Sequence, residues 1–219
     1  MPTRNRLRLS ERRQRQLTRG MELLLIGLLF IGIDRGNPGI IINTIASLVV
    51  VQLPAILERD YDLTMDPRLV LWITAAAFLH GIGIVGIPGV TRSFYTNIWW
   101  WDHLTHSLSA SVVAAAGYAT VRAVDLHSED VDIPARYVGI ILLIFVLAFG
   151  VLWELLEFAI GVTADTIGTR TILTQYGIED TLKDLTFNSM GGVIVAVWGG
   201  FYLSDISAAI SEKLGGDGS

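Results

Sequence analysis

Long apolar runs separated by short polar stretches dominate the chain, and the pattern predicts helices that cross a membrane. The first run extends from about Met21 to Gly39, the second from Ile40 to Leu57 and the third from Leu69 to Ile87. The fourth covers Ile98 to Val121, the fifth Tyr137 to Gly161 and the sixth Thr181 to Ile206. A helix rising about 1.5 Å per residue needs about 17–25 such residues to cross hydrocarbon, and each run meets that requirement. The expected fold is all-α: a polytopic membrane protein with about six transmembrane helices in one bundle. A basic tail over 1–20 precedes the membrane domain at 21–206, and a polar tail follows over 207–219.

Charge then sets orientation. Arg4, Arg6, Arg8, Arg12, Arg13, Arg15 and Arg19 crowd the segment before the first run, and Arg59, Arg68, Arg122 and Arg136 fall in alternate loops. Arginine collects on the cytoplasmic side, so both termini are expected in the cytoplasm and the protein in the plasma membrane. The basic segment suits anionic lipid headgroups, which makes membrane lipids the expected partner and nucleic acid an unexpected one. The run from Met21 leads to Asp34-Arg35 without a small-residue cleavage site, which disfavours a signal peptide. The 219 residues include no cysteine, which excludes disulfides and thiol nucleophiles. Lysine occurs only as Lys183 and Lys213 among acidic loops, the composition of a protein kept soluble in high salt.

Three polar knots interrupt the apolar runs. They are Asp102, His103 and His106; Glu154 and Glu157; and Asp180, Asp184 and Asn188. An acid inside a span costs about 2.5–3.5 kcal/mol on insertion scales, so each needs a partner or a role. Counting inward from the outer ends of the runs places His106, Glu154 and Asp184 each about 10 Å deep, with His80 at about 10–12 Å. Faces agree as well. Asp102 and His106 are spaced i,i+4, Glu154 and Glu157 i,i+3, and Asp180, Asp184 and Asn188 i,i+4,i+8, so each set lines one helix stripe. Gly192, Ala196 and Gly200 continue the last stripe as a small-residue ladder, which places that helix in the middle of the bundle.

Five carboxylates sharing a partly dry site must be balanced by protons, cations or a metal. Among local cations, Lys183 and Arg92 are within reach by spacing, and Arg170 sits on the long outer loop. Mixed imidazole and carboxylate ligands at helical spacing suit a divalent Zn, Mn or Fe ion. The expected metal ligands are Asp102, His106, Glu154, Glu157, Asp180 and Asp184, with His80 and Asn188 as additional candidates. Glu154 and Asp184 are the expected catalytic pair, too deep to serve as helix caps. His103 points about 100° from Asp102 and reads as an interfacial or packing residue. Trp99, Trp100 and Trp101 read as an aromatic belt, and Ser107 and Ser109 as helix-packing hydroxyls.

Taken in order, these motifs resemble the YjdF-like family of small prokaryotic inner-membrane proteins. The likeness rests on His80-Gly81, on Trp101, Asp102 and His106, on Trp153, Glu154 and Glu157, and on Gln175, Asp180, Asp184 and Gly191. A looser likeness to the VanZ-like family maps its late acidic and amide pair to Asp184 and Asn188. The resemblance implies a six-helix integral membrane protein and brings no reaction with it. Three functions compete. The first is a metal-dependent hydrolase or transferase on a lipid-linked or envelope substrate, with a metal-bound water as nucleophile and a spare carboxylate as base. The second is an ion- or proton-coupled transporter, disfavoured because the knots lie nearer one face than the midplane. The third is a structural or accessory protein, for which five acids are an extravagant interhelical glue at about 0.6–2 kcal/mol per contact.

Overall fold

The apolar runs form helices in a computed structural model that describes residues 9–86, 93–128, 130–168, 172–173, 177–203, 207–208 and 210–212. In chain order these are α1 (Glu11–Asp34), α2 (Pro38–Tyr61), α3 (Pro67–Gly83), α4 (Phe94–Asn97), α5 (Trp101–His127), α6 (Ala135–Ile167) and α7 (Ile178–Tyr202). Among the described residues there is no strand, only an isolated antiparallel bridge between Gly86 and Ser93. Most of each predicted run falls on one helix, but Pro38 and Gly39, expected to close the first run, open α2 instead. Among the described residues four helices, α1, α2, α5 and α6, are long and apolar enough to cross a membrane. The helix α3 is apolar but has 17 residues, and α7 carries Glu179, Asp180, Lys183 and Asp184 near its start. Four-residue α4 had no counterpart in the apolar pattern, because so short an element has no period to show.

Local signals fix the helix ends. The Ser10 hydroxyl accepts from Arg13 N at 3.4 Å, so α1 starts on its arginine-rich turns, well before the apolar run at Met21. Asn37 caps α2 by accepting from Ile40 N at 3.2 Å, with Pro38 in the first turn, where a missing N–H costs nothing. Gly168, at φ 70°, closes α6 in the left-handed conformation that glycine adopts without strain.

The chain divides into two compact units, the first ending at Ile82 and the second beginning at Gly83. In the first, α1 packs along α2, and Leu25, Val51 and Ala77 form a small core with Leu28, Leu48 and Phe78 against it. Gly81 brings the α3 backbone against Ser47 and Leu25, where a Cβ would lie 2.8 Å from the serine hydroxyl. In the second, α7 packs against both α5 and α6, most extensively against α5.

Small residues make that packing possible. The faces in contact carry Ala110, Ala114, Ala115, Ala119 and Ala123 on α5 and Gly191, Gly192 and Gly199 on α7. Gly192 and Ala196 of the expected ladder face α6, where Ala196 lies against Gly139. Gly191 meets the α5 backbone, while Gly192 faces Val146 of α6. With 3.6 residues per turn, a stripe drifts around the helix, and a helix held between two neighbours needs small residues on two faces.

The second unit exposes large apolar side chains while burying acids and an amide. Leu152, Leu155 and Phe158 on α6 and Val197 and Trp198 on α7 are exposed, whereas Glu154, Asp184 and Asn188 are buried. A water-soluble fold would invert this arrangement; lipid as solvent permits it.

Candidate metal centre

The α6 stripe Val138, Leu142, Val146, Gly150 and Glu154 is buried at intervals of four and delivers Glu154 to the interior, 4% exposed. On α7 the stripe through Asp184 (2% exposed) and Asn188 (6% exposed) continues to Gly191 and Val195. Across from it, α5 presents Asp102 and His106, both half-buried. The crossing is pinned beside the site, where the Ser107 hydroxyl donates to Phe187 O at 3.0 Å. Ser107 is thus the packing hydroxyl its position suggested.

His106 is the hub. Its Nε2 lies 3.5 Å from Asp102 Oδ1 and 3.6 Å from Asp184 Oδ1, and its Nδ1 lies 3.3 Å from Asn188 Oδ1. One ligand atom from each of Asp102, His106 and Asp184 falls within 4.8 Å of the others, the spacing of a group that could hold a metal ion. Metal–ligand bonds of about 2.0–2.2 Å bring ligand atoms to this kind of mutual separation. Asp184 Oδ1 is buried and makes no hydrogen bond among the described residues, although it faces the imidazole.

The other acids are not part of that three-residue group. Glu154 Oε2 accepts from the Thr181 hydroxyl at 2.8 Å, and Glu157 Oε1 accepts from the Trp153 indole at 3.1 Å. Asp180 lies in the first turn of α7, half-buried, within electrostatic reach of Asp102, Glu157 and Asp184. Lys183, expected within reach of the acids, is within electrostatic reach of Asp180 and Asp184, while its ammonium pairs with Glu179 at 2.8 Å on the exposed side of α7. His103 stacks on Phe187 with ring centroids 4.2 Å apart, the packing role its direction implied. His80 is half-buried on α3 in the first unit. Arg92, Arg170 and Gln175 lie outside the described residues.

Residues 17–205 match the family described as predicted membrane protein, DUF2238. The chain belongs to the DUF2238 family. The YjdF-like resemblance is consistent with that membership. A relative, an uncharacterised protein of Thermotoga maritima, is 29% identical over 140 residues, or 63% of this chain and 65% of that protein. The aligned part therefore falls just short of two thirds of that relative's length. No solved structure matches.

Three residues that spacing did not single out contribute to the site of this DUF2238 protein. Thr181 lies one turn before Asp184, and its hydroxyl donates to Glu154 across the helix contact. Gly150 makes room for Asn188, as its place four residues before Glu154 allows. Tyr95, on α4, lacked any periodic signal. Its ring sits against Gly83, where a Cβ would overlap it, and its phenol shares a side-chain hydrogen bond with Thr105. Burial pushes the Tyr95 phenol up, the Thr105 bond opposes this, and the charges of Asp102, Glu157 and Asp184 add to the rise.

A raised phenol stays a neutral O–H donor beside the acids through the whole working range of pH. Its contribution to stability is intact below about pH 10, where unfolded tyrosine ionises, and is lost as the pH climbs from there toward the folded value. Ultraviolet titration of wild type minus Tyr95→Phe is expected to show no phenolate signal near pH 10 until the protein unfolds. A phenolate difference signal from folded protein at that pH would contradict this environment for Tyr95.

Proposed function

We propose that this DUF2238 protein is a six-span plasma-membrane protein, both termini cytoplasmic, that holds a divalent cation near its outer face. Asp102, His106 and Asp184 are the ligands. The reaction class is metal-dependent hydrolysis or group transfer on a lipid-linked or envelope substrate. The observation that carries the reading is Asp184: a carboxylate 2% exposed, with an oxygen that finds no hydrogen-bond donor among the described residues and that faces a histidine and a second acid. Burying a carboxylate in this way is costly unless a cation accompanies it.

The remaining groups have roles that follow from their surroundings. A bound Zn, Mn or Fe ion would polarise a substrate oxygen or supply a nucleophilic hydroxide. Glu154, oriented by Thr181, is placed to take a proton from an attacking water, and Glu157 is held by Trp153 at the edge of the same cluster. Tyr95 supplies a neutral O–H for a leaving group. On this reading the arginine-rich start is cytoplasmic and the cluster lies about 10 Å below the outer surface, within reach of a lipid headgroup. The VanZ-like likeness adds only that Asp184 and Asn188 occur as a pair there too.

Metal content is the direct test. Protein purified without a histidine tag or chelator is expected to carry about one divalent ion per chain, the stoichiometry of a single three-ligand centre. His106→Ala is expected to lose the ion and Ser109→Ala to keep it, read by elemental mass spectrometry. A metal-free wild type that takes up no ion on dialysis would end the reading, as would His106→Ala protein with undiminished content.

A further inference from the structure

Asn188 stands on the far side of the histidine from the acids. Its Oδ1 is 3.3 Å from His106 Nδ1, while Asp102 and Asp184 face Nε2. It is therefore not an additional ligand of the same ion. An amide oxygen only accepts, so Nδ1 carries the proton in this contact and the Nε2 lone pair is left directed at the carboxylates. Asn188 is 6% exposed and cannot drift into solvent.

Its seat is made by α6. Of the buried positions Val138, Leu142, Val146, Gly150 and Glu154, Gly150 alone has no side chain. A Cβ there would lie 2.8 Å from Asn188 Nδ2 and 2.9 Å from Leu185 Cδ2. The α6 backbone thus closes against the amide nitrogen of Asn188, whose oxygen meets the imidazole.

We infer that Asn188 is a positioning residue which fixes the ring of His106 with Nε2 toward Asp102 and Asp184, and that Gly150 exists to seat it. The inference rests on the metal-site reading and extends it to a second layer that links all three helices of the site. Partners of this kind on a ligand histidine are typically worth about 10–100-fold in metal affinity.

Two measurements separate this inference from the reading beneath it. The first uses Zn²⁺ alone as probe, titrated against a chromophoric chelator with protein in detergent micelles. Asn188→Leu is expected to bind about 10–100-fold more weakly than wild type. Gly150→Ala, which leaves Asn188 in place but crowds it, is expected to weaken binding in the same direction. Asn188→Asp, which keeps an acceptor for Nδ1, should retain affinity. The second is nitrogen-15 NMR of histidine side chains in metal-free protein, with His106 assigned by its loss in His106→Gln. A solvent-protected Nδ1–H signal is expected in wild type and Asn188→Asp, and its loss in Asn188→Leu. A wild type with Nδ1 unprotonated, or equal Zn²⁺ affinity and an unchanged signal in both Asn188→Leu and Gly150→Ala, would overturn the inference. A protected Nδ1–H that depends on Asn188 in a protein that takes up no Zn²⁺ would uphold the positioning and discard the metal.

Discussion

Gly191→Ala is expected to destabilise the protein by about 3 kcal/mol and to remove the metal site with it. In the interior of a helix the same change ordinarily gains about 1 kcal/mol, because glycine is the more flexible residue in the unfolded chain. Here the added Cβ would overlap the Ser107 carbonyl oxygen and stand 2.9 Å from Ser111 N and 3.2 Å from the Ala110 side chain. Two of these neighbours are backbone atoms, which have no rotamer in which to withdraw, so α5 and α7 must separate. Separation stretches the Ser107–Phe187 bond and the 3.6 Å approach of His106 to Asp184, which lie next to the contact. Gly161→Ala is the matched control on α6, since nothing lies within 4 Å of its Cβ position. It should be neutral or stabilising. Thermal melts in one detergent measure both, and equal stability of the two variants would contradict the close approach of α5 and α7.

Much of this was legible in the chain itself, for definable reasons. A period of 3.6 residues persists over a long helix, so the spacing of Asp102 with His106 and of Asp184 with Asn188 marks shared stripes by itself. The cost of burying acids in an apolar run then argued that the stripes face one another. Their convergence on His106 bears out that argument for Asp102, Asp184 and Asn188. What spacing could not supply was partner choice. Rotamers, and not positions, decide that Lys183 turns to Glu179, that Thr181 serves Glu154, and that Asn188 takes the other nitrogen of the imidazole. Helix rotation is equally hidden, because Gly191 and Gly192 are adjacent and either could have faced α5. Tyr95 shows a further limit. A four-residue helix carries no periodicity, so the sequence around it reads as a loop.

Asp184→Asn should change stability in opposite directions with and without metal, and that sign reversal is the sharpest discriminator between a site and interhelical glue. Asparagine has nearly the same shape, so no cavity forms, and its amide can donate toward His106. In metal-free protein the variant is expected to be more stable than wild type by about 1–3 kcal/mol, because a buried carboxylate with an unbonded oxygen has been replaced by a neutral group. With a saturating divalent ion the order should invert. An ion held at 100 times its dissociation constant stabilises the folded state by about 2.7 kcal/mol, and the variant, lacking one of three ligands, should show little of that shift. If the knots merely hold helices together, Asp184→Asn has no reason to respond to metal and should be weaker or neutral in both conditions. Thermal melts of wild type and variant, each with chelator and with Mn²⁺ or Zn²⁺, give four midpoints that decide the matter. The cation reading requires that wild type gain and the variant not; parallel shifts in the two proteins would place the bound ion elsewhere on the molecule.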